Sequence, residues 1–79
     1  YPNPFNPSTQ INISLSKNGY IKLAAYNIKG NEVDIIFEGH QEIGLHSYIW
    51  NARKLPTGIY YIQLESGNMM STQKAFLIK

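Results

Sequence analysis

The sequence predicts a small all-β antiparallel sandwich of about six to seven strands, and two observations predict it. Turn-forming clusters recur at short intervals, at 1–8, 18–19, 29–31, 39–44, 56–58 and 66–68. The segments between them are strand-length and rich in Ile, Val, Tyr and Thr, the pattern of a sandwich or barrel. A helical apolar stripe is found in no window of about eleven residues or more.

The strands follow in order. Segment 10–15 sets Ile11, Ile13 and Leu15 against polar Gln10, Asn12 and Ser14, so one face is buried and the other wet. Asn18-Gly19 has the composition of a two-residue hairpin turn. Segment 20–27 places Ile21, Leu23 and Ala25 on one face, with Tyr20, Lys22 and Tyr26 on the other. Lys29-Gly30-Asn31 turns the chain into 32–38. There Val33, Ile35 and Phe37 alternate, but Ile36 is apolar as well, which calls for a bulge or for burial on both faces. A polar connection is expected over 39–44. Segment 45–51 keeps His46, Tyr48 and Trp50 in phase, and Pro56 makes 52–58 a connection because it cannot donate to a ladder. Segment 59–65 aligns Tyr60, Ile62 and Leu64, and a last strand covers about 71–78. The expected core is Ile13, Leu23, Tyr48, Trp50, Tyr60, Ile62 and Leu64.

Composition limits what such a domain can do. Seventy-nine residues make one domain, 1–79, with a Pro/Asn-rich opening segment at 1–8. Without cysteine there is no disulfide and no thiolate metal site. The apolar share of 43% suffices for a core and excludes a disordered tail. The net charge is +2, and the basic residues are spread along the chain rather than clustered as a nucleic-acid binder clusters them. Apolar runs reach only four residues, as at 59–62, against the ~20 that span a bilayer. The chain opens at Tyr1, without Met or a signal peptide, so it is expected to be the C-terminal piece of a longer exported parent.

Candidate chemistry is sparse. His40, Glu42 and His46 could supply metal ligands, but they fall in or beside a glycine-flanked loop that holds no geometry, and zinc needs fixed ligands. Ser8, Ser14, Ser16 and Ser47 lack the glycine elbow of a nucleophile, and there is no glycine-rich phosphate loop. No catalysis, metal or cofactor is expected. Tyr20, Tyr26, Tyr48, Trp50, Tyr60 and Tyr61 could form a sugar-stacking platform, although Tyr48, Trp50 and Tyr60 lie on the core phase of their strands. Asn12-Ile13-Ser14 fits the glycosylation pattern in mid-strand, as coincidence.

Several segments together resemble one family. Residues 1–9, Tyr-Pro-Asn-Pro-Phe-Asn-Pro-Ser-Thr, resemble the "YPNPFNPST" start of bacterial type IX secretion C-terminal sorting domains. Residues 26–33 are similar to that family's "VYDxxGREV" strand and turn, and 46–52 to its "HTVTWDA" segment. Residues 55–64 resemble "LASGVYFYRL", and 74–79 its "KMVLLK"-like finish with a terminal lysine. The likeness runs in order along essentially the whole chain. Departures fall at turns: Asn27 stands where Asp is frequent, Asn31 where Arg is common, and Asn51 where Asp usually follows Trp50.

The resemblance implies an immunoglobulin-like sandwich, related to the immunoglobulin-like part of flagellar hook-capping proteins. It implies a non-catalytic sorting signal, covalently continuous with an N-terminal cargo. The implied partners are the shuttle of an outer-membrane translocon and a sortase-like peptidase, reached in the periplasm before the cargo arrives at the cell surface or medium. The residues expected to meet those partners are Pro2, Asn3, Pro4, Phe5, Asn6, Gly58, Tyr60, Lys74 and Lys79. Most have a structural role available too: prolines stiffen the opening segment, Gly58 can serve a turn, and Tyr60 the core. The competing expectations are an accessory carbohydrate-binding module or a structural spacer of a secreted hydrolase. A strand edge left open could also pair weakly with a second copy.

Overall fold

The computed structural model describes residues 8–78. Among them run six strands: β1 Ser8–Leu15, β2 Gly19–Tyr26, β3 Glu32–Gln41, β4 Gly44–Asn51, β5 Gly58–Ser66 and β6 Met69–Leu77. All pairings are antiparallel. β1 and β4 form a two-stranded sheet, and the other four form a second sheet in the order β3-β2-β5-β6. The opening segment and Lys79 lie outside the described residues.

The alternation in each strand produces this arrangement. Ile11, Leu23, Ala25, Trp50, Ala52, Tyr60, Ile62 and Leu77 form one buried cluster between the sheets. Ile13, Tyr48 and Leu64, expected in the core, pack against that cluster half-buried. Seven buried positions lie outside the expected core: Ile11, Leu15, Ile21, Ala24, Ala25, Ala52 and Leu77. Leu15 and Leu77 end their strands, where alternation alone does not say how far the opposite sheet reaches.

Two expectations about connections are corrected. Asn18-Gly19 does not close a hairpin, because β1 and β2 belong to different sheets. The carboxamide of Asn18 instead accepts a hydrogen bond of 2.6 Å from the backbone N–H of Ile43. It thereby ties the β1–β2 crossing to the β3–β4 crossing. The polar connection expected over 39–44 shrinks to two residues, since β3 continues through Gly39 and His40 to Gln41. Pairing with Gly19–Ile21 of β2 satisfies that stretch of backbone, and the sequence pattern of β3 alone does not reveal the partner.

The irregularity at Ile36 is a bulge. Leu23 pairs with Phe37 and Ala24 with Ile35, which leaves Ile36 without an opposite number. A second shift does the same to Val33. Both surplus residues pack on the core. Their consequence is a change of phase. Phe37 and Asp34 are three residues apart and would face opposite ways in a regular strand. With one residue extra between them, both point inward: Phe37 stacks on Tyr48 at 5.0 Å, and Asp34 accepts a 2.9 Å hydrogen bond from the indole N–H of Trp50. That bond spans the two sheets.

Hairpin turns carry the remaining order. Asn27 accepts through Oδ1 from the N–H groups of Lys29 and Asn31, both at 3.0 Å, while Gly30 takes φ 86°. Gly67, with φ 61°, and Asn68, with negative φ, have the signs of a type II′ turn between β5 and β6.

Two substitutions test this packing. Asp34→Ala strands the indole N–H in a partly buried site and should cost about 1–3 kcal/mol, lowering the melting temperature by roughly 5–20 °C for a domain of this size. An unchanged melt would show that the inter-sheet bond contributes nothing. Tyr48 is the reverse case, because its hydroxyl is buried without a partner. Tyr48→Phe should leave thermal stability equal or higher, since it removes an unsatisfied group and retains the ring.

Candidate recognition surface

The antiparallel registers gather six strand ends at one end of the sandwich. β1 begins there, opposite the end of β4, through the pair Ser8–Asn51. β2 ends and β3 begins there across the Asn27 turn, and β5 begins opposite the end of β6 through Gly58–Leu77. The described chain therefore starts and stops at this end. A shallow groove of about 300 Å³ lies between the start of β1 and the end of β6, lined by Ser8, Thr9, Trp50, Phe76 and Leu77 among others.

Tyr60 organises the neighbouring loop. Its ring meets Trp50 edge-on at 5.9 Å, and its hydroxyl donates 2.6 Å to the carbonyl of Pro56, four residues upstream. The loop is further closed by a 3.0 Å bond from Leu55 N–H to the Ala52 carbonyl and by Asn51 Oδ1, which accepts from Arg53 N–H at 3.2 Å.

The other expected residues divide clearly. Gly58 opens β5 half-buried, and its φ is not positive. It is therefore not a turn glycine, and a Cβ added there would touch only the Tyr60 ring, at an ordinary 3.9 Å. Lys74 stands exposed on the outer face of β6, its Nζ 5.9 Å from the Phe76 ring centroid. Pro2, Asn3, Pro4, Phe5, Asn6 and Lys79 fall outside the described residues, so what the structure places of the expected set is Gly58, Tyr60 and Lys74. The first two lie together at this end, and Lys74 lies three pairs along β6 from Leu77.

The turn departures have physical explanations. Asn27 and Asn51 act through a side-chain oxygen that accepts backbone N–H groups, and Asp offers the same acceptor. Asn31 contributes its backbone to the turn, donating to Asn27 Oδ1 and accepting from Asn27 N–H. Sequence reasoning missed Asp34 and Asn18. The available signal for Asp34 was a carboxylate inside the apolar run Val33–Ile36; nothing local marked Asn18.

The residues considered for other chemistry are placed as follows. His40 lies in β3, its ring edge-on to Tyr20 at 5.8 Å. His46 is held in β4 with Nε2 2.6 Å from the Glu42 carbonyl oxygen, so that nitrogen carries the donated proton. Among the described residues no group of three His, Cys, Asp or Glu could hold a metal ion, and no helix is long and apolar enough to cross a membrane. Of the aromatics, Trp50 and Tyr60 are buried between the sheets, and Tyr48 packs half-buried against them. Tyr26 and Tyr61 pair across β2 and β5, half-buried on the outer face.

Beyond the groove, the outer face of β2 and β3 carries the described charge network. Lys22 Nζ lies 2.6 Å from Glu32 Oε1, and the Tyr20 hydroxyl donates 2.7 Å to Glu38. The Tyr20 phenol is held above its ordinary 10.0, first by that hydrogen bond and then by desolvation and the Glu38 charge. Lys22 is held above 10.5, chiefly by its hydrogen bond to Glu32.

The described residues form a small all-β sandwich of two antiparallel sheets, with six strand termini, Ser8 and Leu77 among them, at one end. The family model of the secretion system C-terminal sorting domain matches residues 1–79, and the chain belongs to that family. It is a C-terminal sorting signal of type IX secretion, a mark carried by proteins exported through the periplasm to the cell surface or the medium. The family is non-catalytic, and it implies a cargo on the N-terminal side and the type IX machinery as partner. Neither a curated protein nor a solved structure matches the chain.

The electrostatic network makes a pH prediction. Both Tyr20 and Lys22 have folded-state values raised above their ordinary ones. Their stabilisation is therefore complete below about pH 10 and is lost as pH climbs through the raised values. Melts recorded from neutral to strongly alkaline pH should show Tyr20→Phe slightly less stable than the parent at neutrality, the gap closing at the alkaline end. A gap that does not change with pH would contradict this assignment.

Proposed function

We propose that the type IX machinery reads this domain as a folded surface, centred on the end that holds Ser8, Gly58 and Leu77. The observation that supports the reading is topological: Ser8, Gly58 and Leu77 lie at one end, so the first described residue stands near the start of β5 and the end of β6. In this reading 1–79 acts as a single domain with no chemistry of its own. Pro2, Asn3, Pro4, Phe5 and Asn6, together with Gly58, Lys74 and Lys79, contact the translocon shuttle and the sortase-like peptidase. Tyr60 contributes by fixing the Pro56 carbonyl and the loop that carries it.

Two substitutions separate recognition from stability. Gly58→Ala needs no unusual backbone angle and meets only a van der Waals neighbour, and Lys74→Ala removes an exposed side chain. Each should change stability by no more than about 0.5 kcal/mol. Fused behind a reporter in a host that has the translocon, the parent sequence should deliver the reporter to the cell surface. Either variant should lower delivery several-fold while its melt stays unchanged. A parent fusion retained in the periplasm would defeat the reading, and full delivery by both variants would remove those two residues from it.

A further inference from the structure

The four-stranded sheet has two edges, and they are built differently. The β3 edge is broken by two bulges and carries Glu32, Asp34 and Glu38. Bulges and charge are the usual protection against edge-to-edge pairing. β6 has no bulge and only one charge. It runs nine residues in unbroken register with β5, without proline or glycine, and Lys74 is its one charged residue. Its outward-facing apolar side chains, Met70 and Phe76, are 62% and 69% exposed.

We infer that β6 pairs with β6 of a second copy of this chain, antiparallel about a two-fold axis at Gln73. The backbone is set for it. In the two-residue hairpin the closing pair Ser66–Met69 is the hydrogen-bonded one, so alternate β6 residues from Met69 spend their N–H and C=O groups on β5. Met70, Thr72, Lys74 and Phe76 turn theirs to the open edge. With the axis at Gln73, Met70 faces the second copy's Phe76 and Thr72 faces its Lys74. All nine residues find an opposite number, and the two lysines are offset diagonally.

The side chains agree with this register. Thioether against ring is a favourable contact, and no like charges stand directly opposite, which would cost stability. Sliding by one residue sets outer-face side chains against inner-face ones, which the pleat forbids. Sliding by two removes the methionine–phenylalanine pair. The result is one continuous eight-stranded sheet with the two β3 edges outermost. A contact one strand long falls below the ~1,200 Å² of stable complexes, so the dimer is weak and concentration-dependent.

Sedimentation of the full chain across a concentration series tests this independently of export, since no translocon is involved. The apparent mass should rise from one protomer toward two in the micromolar to millimolar range. Thr72→Pro removes an N–H that faces the open edge and leaves the β5 ladder intact; it should raise the dissociation constant about tenfold or more. Met70→Lys sets a charge against the second copy's Phe76 and should have the same direction of effect, with the melt of each variant confirming the fold. A parent chain that stays at one protomer throughout, or variants that both dimerise like the parent, would overturn the inference.

Discussion

The hydrogen bond from Trp50 to Asp34 connects the two-stranded sheet to the four-stranded one, and much else is arranged around it. A carboxylate facing a sandwich interior loses hydration, which is costly unless a donor replaces the water. The indole N–H supplies that donor, and a bond to an ionised acceptor is stronger than a neutral one. The same indole forms the wall against which Tyr60 packs, and Tyr60 in turn holds the Pro56 carbonyl. The loop that carries Pro56 is therefore positioned by a chain of contacts that starts between the sheets.

That chain depends on Ile36 being surplus. In a regular β3, Asp34 would face outward whenever Phe37 faced inward, and Trp50 would lack its acceptor. The bulge also twists and interrupts the edge of the sheet, so a single extra residue aims a side chain inward and blunts one edge. The opposite edge, β6, keeps its regular ladder with β5.

Much of this was legible in the residues. Alternation located all six strands, because a sheet with one wet face writes its burial into every second position. The turn at Lys29–Asn31 and the one at Ser66–Asn68 were readable from glycine and asparagine. Asn18-Gly19 carries the same chemistry and yet joins two different sheets, since a short turn reports its own backbone angles and not the partner of the strand it releases. The family, too, was written in the order and spacing of the motifs, from the opening Tyr1-Pro2-Asn3-Pro4 to the closing Lys74–Lys79 segment.

By itself, then, the sequence determined the class of fold, the strand segments and the membership of a secretion family, all of which rest on local pattern or on linear order. Tertiary structure alone decided which sheet each strand joined, that Ile36 would be squeezed out of register, and that Asp34 would meet Trp50. It also decided that Asn18 would bridge two crossings and that Gly58 would sit opposite Leu77, at the end where β1 begins. These are relations between residues 11 to 43 positions apart, set by how two twisted sheets fill the space between them, and no short strand-length window contains both partners.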